Sequence, residues 1–139
     1  MSAHPTQVTG IDHLSLPMQD TDAMVAFYQH FSFEISQTSA IVSVHIGQQM
    51  INFHRPEVWP QERFTLRAPS ASPPCGDICF VWEGSPQSLA ALISSVGAVI
   101  EEGPVERIGG RRARAMSVYT RDPDGNLLEF MIYDTQRTE

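Results

Sequence analysis

One order of hydrophobic patterns occurs twice along this chain, on either side of a proline-rich stretch. In the first half, apolar residues alternate over positions 9–17. Asp20-Thr21-Asp22 follow, with capping side chains and the negative charge that favours a helix start. Met24, Phe27, Tyr28 and Phe31 recur at helical spacing, and three strand-like segments occupy about 33–38, 40–46 and 49–54. The second half repeats the order. Strand formers fill 77–82, Ser85-Pro86 opens a helix with Ser as cap and Pro at its first position, and Gly97 ends it. Strand-like segments follow at 98–107, 113–120 and 126–133, broken by Gly109-Gly110 and by the turn sequence Asp122-Pro123-Asp124-Gly125. Between the halves lie five of the ten prolines, Pro56, Pro60, Pro69, Pro73 and Pro74. Proline interrupts helices and central strands alike, so 55–74 reads as a connector, with Trp59 and Phe64 as anchors on the surface it covers. The expectation is an α+β domain spanning 1–139. It holds two βαβββ modules, about 8–54 and 75–134, that form a curved mixed sheet around a central cleft.

Strand alternation assigns the side chains to faces. Leu14 and Leu16, Ile51 and Phe53, Ile78, Phe80 and Trp82, and Leu128, Phe130 and Ile132 give four strands a wholly apolar face, suited to packing under a helix. The opposite faces are apolar apart from His13, Asn52 and His54, Asp77, and Glu129. Ionisable groups on apolar strands are costly unless paired or bound to something. Aligning the halves puts His13 on Asp77, so these groups occupy matching places, and a symmetric assembly would gather them at one cleft. One imidazole with carboxylates suits Fe(II), Mn(II), Ni(II), Co(II) or Zn(II), with coordination positions left for substrate. His4, His30 and His45 read as structural or exposed, and Met50, Met116 and Met131 as apolar lining. Tyr119 and Arg121 are placed to reach a cleft opening.

Composition excludes other classes. The net charge of −7 disfavours nucleic acid and anionic membranes, which demand clustered cations. The exception, Arg111, Arg112 and Arg114 after Gly109-Gly110, reads as a solvated hairpin tip or as a lid over an anionic substrate. No apolar run is long enough for a membrane helix, and the first residues carry no secretory pattern, so a cytoplasmic location is expected. Cys75 and Cys79 are not spaced as a redox or zinc motif and read as small buried side chains.

Four segments together resemble a known superfamily: Gly10-Ile11-Asp12-His13-Leu14, Phe27-Tyr28, the turn from Arg121 through Asn126, and Leu128-Glu129-Phe130. They resemble the vicinal oxygen chelate superfamily, which includes glyoxalase I, extradiol dioxygenases, fosfomycin-resistance transferases and bleomycin-binding proteins. The segments Ile51-Asn52-Phe53-His54 and Glu102-Gly103-Pro104-Val105 look most like its small glyoxalase-domain proteins of unassigned reaction. The resemblance implies a divalent metal ion held by His13, Asp77 and Glu129. His54 and Glu129 would be catalytic, and Asn52, Tyr119 and Arg121 would contact substrate. Asp77 stands where relatives commonly have His, and Asn52 where glyoxalase I has a further ligand. The implied function is a metal-dependent lyase or isomerase, or a dioxygenase, acting on a small substrate with vicinal oxygens. The alternative is a non-enzymatic small-molecule binder of the bleomycin-resistance type. A homodimer is expected.

Overall fold

The structure, a computed structural model, describes residues 6–134. His4 and the ends of the expected domain lie outside the described residues. The elements run β1 (His13–Pro17), α1 (Thr21–His30), β2 (Glu34–Gln37), β3 (Ile41–Ile46), β4 (Gln49–His54), β5 (Asp77–Val81), α2 (Pro86–Ser95), β6 (Glu102–Ile108), β7 (Arg114–Arg121) and β8 (Leu127–Tyr133). This is the α+β class with two βαβββ modules. Each module closes its own four-stranded sheet, ordered β1-β4-β3-β2 and β5-β8-β7-β6. In each, the first and last strands pair in parallel and the remaining pairs are antiparallel.

Local chemistry explains the boundaries. Asp20 caps α1 by accepting the Ala23 N–H, and Ser85 caps α2 by accepting that of Ser88, with Pro86 in the first turn. β1 begins at His13 rather than near position 9, because its register with Met50–His54 runs out there. β6 begins at Glu102 rather than 98, and its register shifts between Glu102 and Val105. Pro104 offers no N–H to the ladder, and Gly103 supplies a φ of +111°.

The apolar faces of both sheets meet in one core with the helices. Phe31, at the end of α1, stacks on Phe130 of β8 with ring centroids 5.1 Å apart, and Phe33 lies 5.3 Å from Phe80 of β5. Val44, Phe53, Leu89 and Leu128 are fully enclosed. Burying each such side chain contributes roughly 1.5–3 kcal/mol. Because the modules join through these inner faces, the outer face of each sheet, with its polar side chains, points away from the shared core.

The turn from Asp122 to Asn126 holds the modules together. Asp122 is 4% exposed, and its carboxylate accepts the N–H groups of Asp124, Gly125 and Asn126, the Asn126 side-chain amide and the Tyr28 hydroxyl. Asp124 accepts the backbone N–H groups of Gln19 and Asp20 at 2.7 and 2.9 Å. The connector lies against module 1 as its anchors predict. Trp59 Nε1 donates to the Met18 carbonyl at 2.9 Å, and Phe64 packs 4.9 Å from the His54 ring.

Candidate metal and substrate site

On the outer face of module 2, β5, β8 and β7 set Cys79, Glu129 and Tyr119 side by side, because Cys79 and Tyr119 are both register partners of Glu129. Asp77 stands two residues before Cys79 on the same face and is exposed. Glu129 Oε2 accepts a 2.6 Å hydrogen bond from Ser117 Oγ, and Ser117 is fully buried. That contact fixes one carboxylate oxygen against the sheet, and the Cys79 thiol is a second hydrogen-bonding neighbour of the same carboxylate. Cys75 and Cys79 are free and exposed rather than buried. The Cys79 thiol nevertheless lies along the sheet, 3.7 Å from the Phe80 carbonyl. Burial, then the Glu129 carboxylate, then Asp77, push its pKa up to about 12. It therefore stays protonated at neutral pH and is no nucleophile.

On the outer face of module 1, β1 and β4 carry His13, Asn52 and His54. His13 is exposed, and its Nδ1 lies 2.7 Å from Asp12 Oδ1. Asn52 is 8% exposed and accepts from the Ser43 hydroxyl at 2.6 Å. His54 lies under the connector, beside a cavity of about 110 Å³ bounded by Trp59, Phe64 and Arg67. Its Nδ1 is buried with no hydrogen-bond partner among the described residues. Burial and then the nearby Arg67 cation lower its pKa below 6.5, so the ring is neutral near pH 7. His45, expected to be structural or exposed, pairs with Ser36 at 2.8 Å.

Among the described residues, no three His, Cys, Asp or Glu side chains gather closely enough to hold a metal ion. Asp77 and Glu129 share one sheet face, while His13 stands on the other sheet. The convergence expected from the sequence is therefore not reached within one chain. Tyr119 receives a 3.1 Å hydrogen bond from Arg107 Nε. Arg121 is engaged in structure: its Nε and Nη2 meet the two Glu101 oxygens at 2.9 and 3.2 Å, and Nη1 reaches the Gly125 carbonyl. This pairing holds the Glu101 carboxyl below its ordinary pKa. Sequence reasoning passed over Ser117, Ser43 and Arg107. The alternation Ala115, Ser117, Tyr119 could have flagged Ser117, had the β7–β8 register been known.

Residues 10–130 match the family described as the Glyoxalase/Bleomycin resistance protein/Dioxygenase superfamily. The chain belongs to this superfamily. It is 35% identical over 129 residues to the virulence protein STM3117 of Salmonella typhimurium, covering 88% of this chain and 83% of that protein. The crystal structure of STM3117 superposes with a TM-score of 0.80, covering 92% and 99% of the two chains at 33% identity. It is 31% identical to the glyoxalase domain-containing protein RDO1 of Mycosarcoma maydis, over 91% of this chain and 69% of that one. A more distant structure, the fosfomycin resistance protein FosX of Listeria monocytogenes, shares the fold with a TM-score of 0.61 at 19% identity and 90% coverage of each chain. Its crystal structure is of a complex with Mn(II). No helix among the described residues is long and apolar enough to cross a membrane.

Proposed function

We propose that this protein is a divalent-metal-dependent enzyme of the glyoxalase type, acting on a small substrate with vicinal oxygens by lyase or isomerase chemistry, and that a homodimer completes its site. The observation that carries this reading is the split donor set, with Asp77 and Glu129 on one outer face and His13 on the other. The chemistry of the set fits a divalent ion. Ser117 holds Glu129 Oε2, which orients the carboxylate. His13 engages Nδ1 with Asp12, an arrangement that orients the ring and leaves Nε2 as the ligating nitrogen. Asp77 adds a second carboxylate. Within one chain the set is incomplete, and a second copy would supply the missing half.

Support for that second copy comes from the strand edges. β1 and β5 are edge strands of their sheets, and Leu14 in β1, Val81 at the end of β5 and Ile11 just before β1 are 37%, 46% and 67% exposed. A cavity of about 570 Å³, lined also by Ile51, Ile78 and Phe80, opens between the modules at the same place. An apolar edge of this kind suits an isologous partner surface.

A bound divalent ion would hold two substrate oxygens and offset the negative charge that develops on them. The protein's own groups have separable tasks. Ser117 orients Glu129. His54, neutral near pH 7, is suited to accept a proton from bound substrate. Asn52 cannot serve as a base, and its Oδ1 is already bonded to Ser43. That last fact favours a second reading, a non-enzymatic binder of small molecules.

The test is metal content and mass in solution. Protein incubated with Mn(II), Fe(II), Co(II), Ni(II) and Zn(II) in turn, then desalted, is expected to retain one of these ions as a dimer. Glu129→Gln is expected to lose it. Wild-type protein that retains none of the five ions sinks the proposal. A ligand-induced melting shift untouched by chelator and by His13→Ala establishes the binder reading instead.

A further inference from the structure

The connector forms a roof over one end of module 1. Trp59 is pinned to the Met18 carbonyl, and the Arg67 guanidinium lies over the Trp59 ring, 5.4 Å from its centroid. That guanidinium also donates to the carbonyls of Pro69 and Ala71, which closes this part of the connector on itself. Phe64 packs on the His54 ring. Under the roof lies the cavity of about 110 Å³, walled by Ser15, Leu16, His54, Trp59, Phe64 and Arg67. His13, Asp77 and Glu129 do not border it.

His54 brings an unmet hydrogen bond to this wall. Its Nδ1 is buried and unpartnered among the described residues. Burial and the Arg67 cation keep the ring neutral, so one of its nitrogens carries a lone pair. An unpartnered lone pair in a buried place is costly, and an occupant with a hydrogen-bond donor removes that cost. The same cation repels an ammonium donor, which favours a hydroxyl. Leu16, Trp59 and Phe64 make much of the wall apolar, and a buried water needs about two to four polar partners, so water is the poorer occupant. The volume is smaller than the roughly 150 Å³ that encloses benzene in an engineered apolar cavity, which limits the occupant to about four to six non-hydrogen atoms.

We infer that the cavity under the connector binds a small neutral alcohol, whose hydroxyl donates to His54 Nδ1 and whose carbon body lies against Leu16, Trp59 and Phe64. The bound hydroxyl is then the group from which His54 would take a proton. In that respect the inference rests on the proposed function, but the binding itself needs no metal ion and no second chain.

The test is an NMR titration of metal-free protein with cyclopentanol, cyclopentanone and isobutyrate, three molecules of similar size. The Trp59 indole N–H reports on the connector cavity, and the Trp82 indole N–H on the larger cavity between the modules. Cyclopentanol is expected to move the Trp59 signal. It should bind about threefold to tenfold more tightly than the ketone or the carboxylate, the share of one hydrogen bond. His54→Phe is expected to make alcohol and ketone equal, and Ala71→Leu, which fills the cavity, to abolish binding of both. Alcohol binding no tighter than that of the ketone or of isobutyrate in wild type overturns the inference. So does a response at Trp82 alone, no response to cyclopentanol, an alcohol preference that survives in His54→Phe, or undiminished binding in Ala71→Leu. Should His54→Phe not fold, the wild-type comparison and Ala71→Leu decide. An absence of metal uptake counts against the metal site alone.

Discussion

The hydroxyl of Tyr28, on α1 of the first module, donates a 2.7 Å hydrogen bond to Asp122, 94 residues later in the turn before β8. Both groups are buried, and burial raises the pKa of each. For Asp122, bonds from Asn126 and Tyr28 oppose that rise. The bond ties one module's helix to the other module's turn. Tyr28→Phe should therefore lower stability by about 1–2 kcal/mol, because it removes one of the donors on a buried carboxylate. Urea denaturation measures this, and an unchanged midpoint would show that the contact carries no weight.

Gly76 lies where the second module enters against the first. A Cβ there would stand 2.8 Å from Leu16 Cδ1 and 2.9 Å from Asn126 Oδ1. Gly76→Ala should cost about 1–3 kcal/mol by overpacking. Gly110→Ala meets nothing within 4 Å and should stay within about 0.5 kcal/mol of wild type. Thermal melts of the pair discriminate, and equal shifts would refute the close approach at Gly76.

Ser117 should matter to metal binding without touching the ion. Its hydroxyl orients the Glu129 carboxylate. Ser117→Ala is expected to weaken divalent-metal affinity about tenfold to a hundredfold while leaving the mass in solution unchanged. Calorimetric titration with Mn(II) tests it. Wild-type affinity in the variant would mean that the carboxylate does not depend on the serine.

If the site is shared between two chains, loss of the dimer and loss of metal must go together. Val81, 46% exposed at the end of the edge strand β5, is the place to break the pair. Val81→Glu is expected to sediment as a monomer and to retain no ion. A monomeric variant that still holds metal would move the site into a single chain.

The neutral state of His54 has a pH signature. Burial and Arg67 depress its folded pKa below the ordinary 6.5, so the unfolded chain binds more protons as pH falls through that window. Stability contributed by the neutral ring is complete above pH 6.5 and is lost progressively below it. His54→Gln should flatten the fall of the urea midpoint on the acid side of pH 6.5. An identical slope in the variant would assign the acid sensitivity to other groups.

Periodicity exposed most of the architecture. Leu89 and Ile93 at helical spacing, Ser85-Pro86 ahead of them, and alternation in Ile78 to Phe80 and Leu128 to Phe130 are local signals, and these segments fold as they suggest. The β6 start moved from 98 to Glu102, because strand extent depends on a partner as much as on propensity, and inside the strand Gly103 and Pro104 shift the register. The turn at Asp122 was legible as a turn. Its role in joining the modules was not, since Tyr28 and Gln19 approach it only after the chain has folded back.

Which side chains share a face follows from the chain alone, because a strand's two-residue period is a property of its covalent geometry. The faces that carry His13, Asn52, Asp77 and Glu129 follow in that way. Which faces look at one another is a matter of how the sheets pack. Here the large apolar faces, led by Phe31 against Phe130, take the inside, since burying them yields more free energy than any pairing of polar groups. That packing turns the polar faces outward, separates His13 from Glu129, and sets Arg107 on Tyr119. None of these relations is encoded in a single segment.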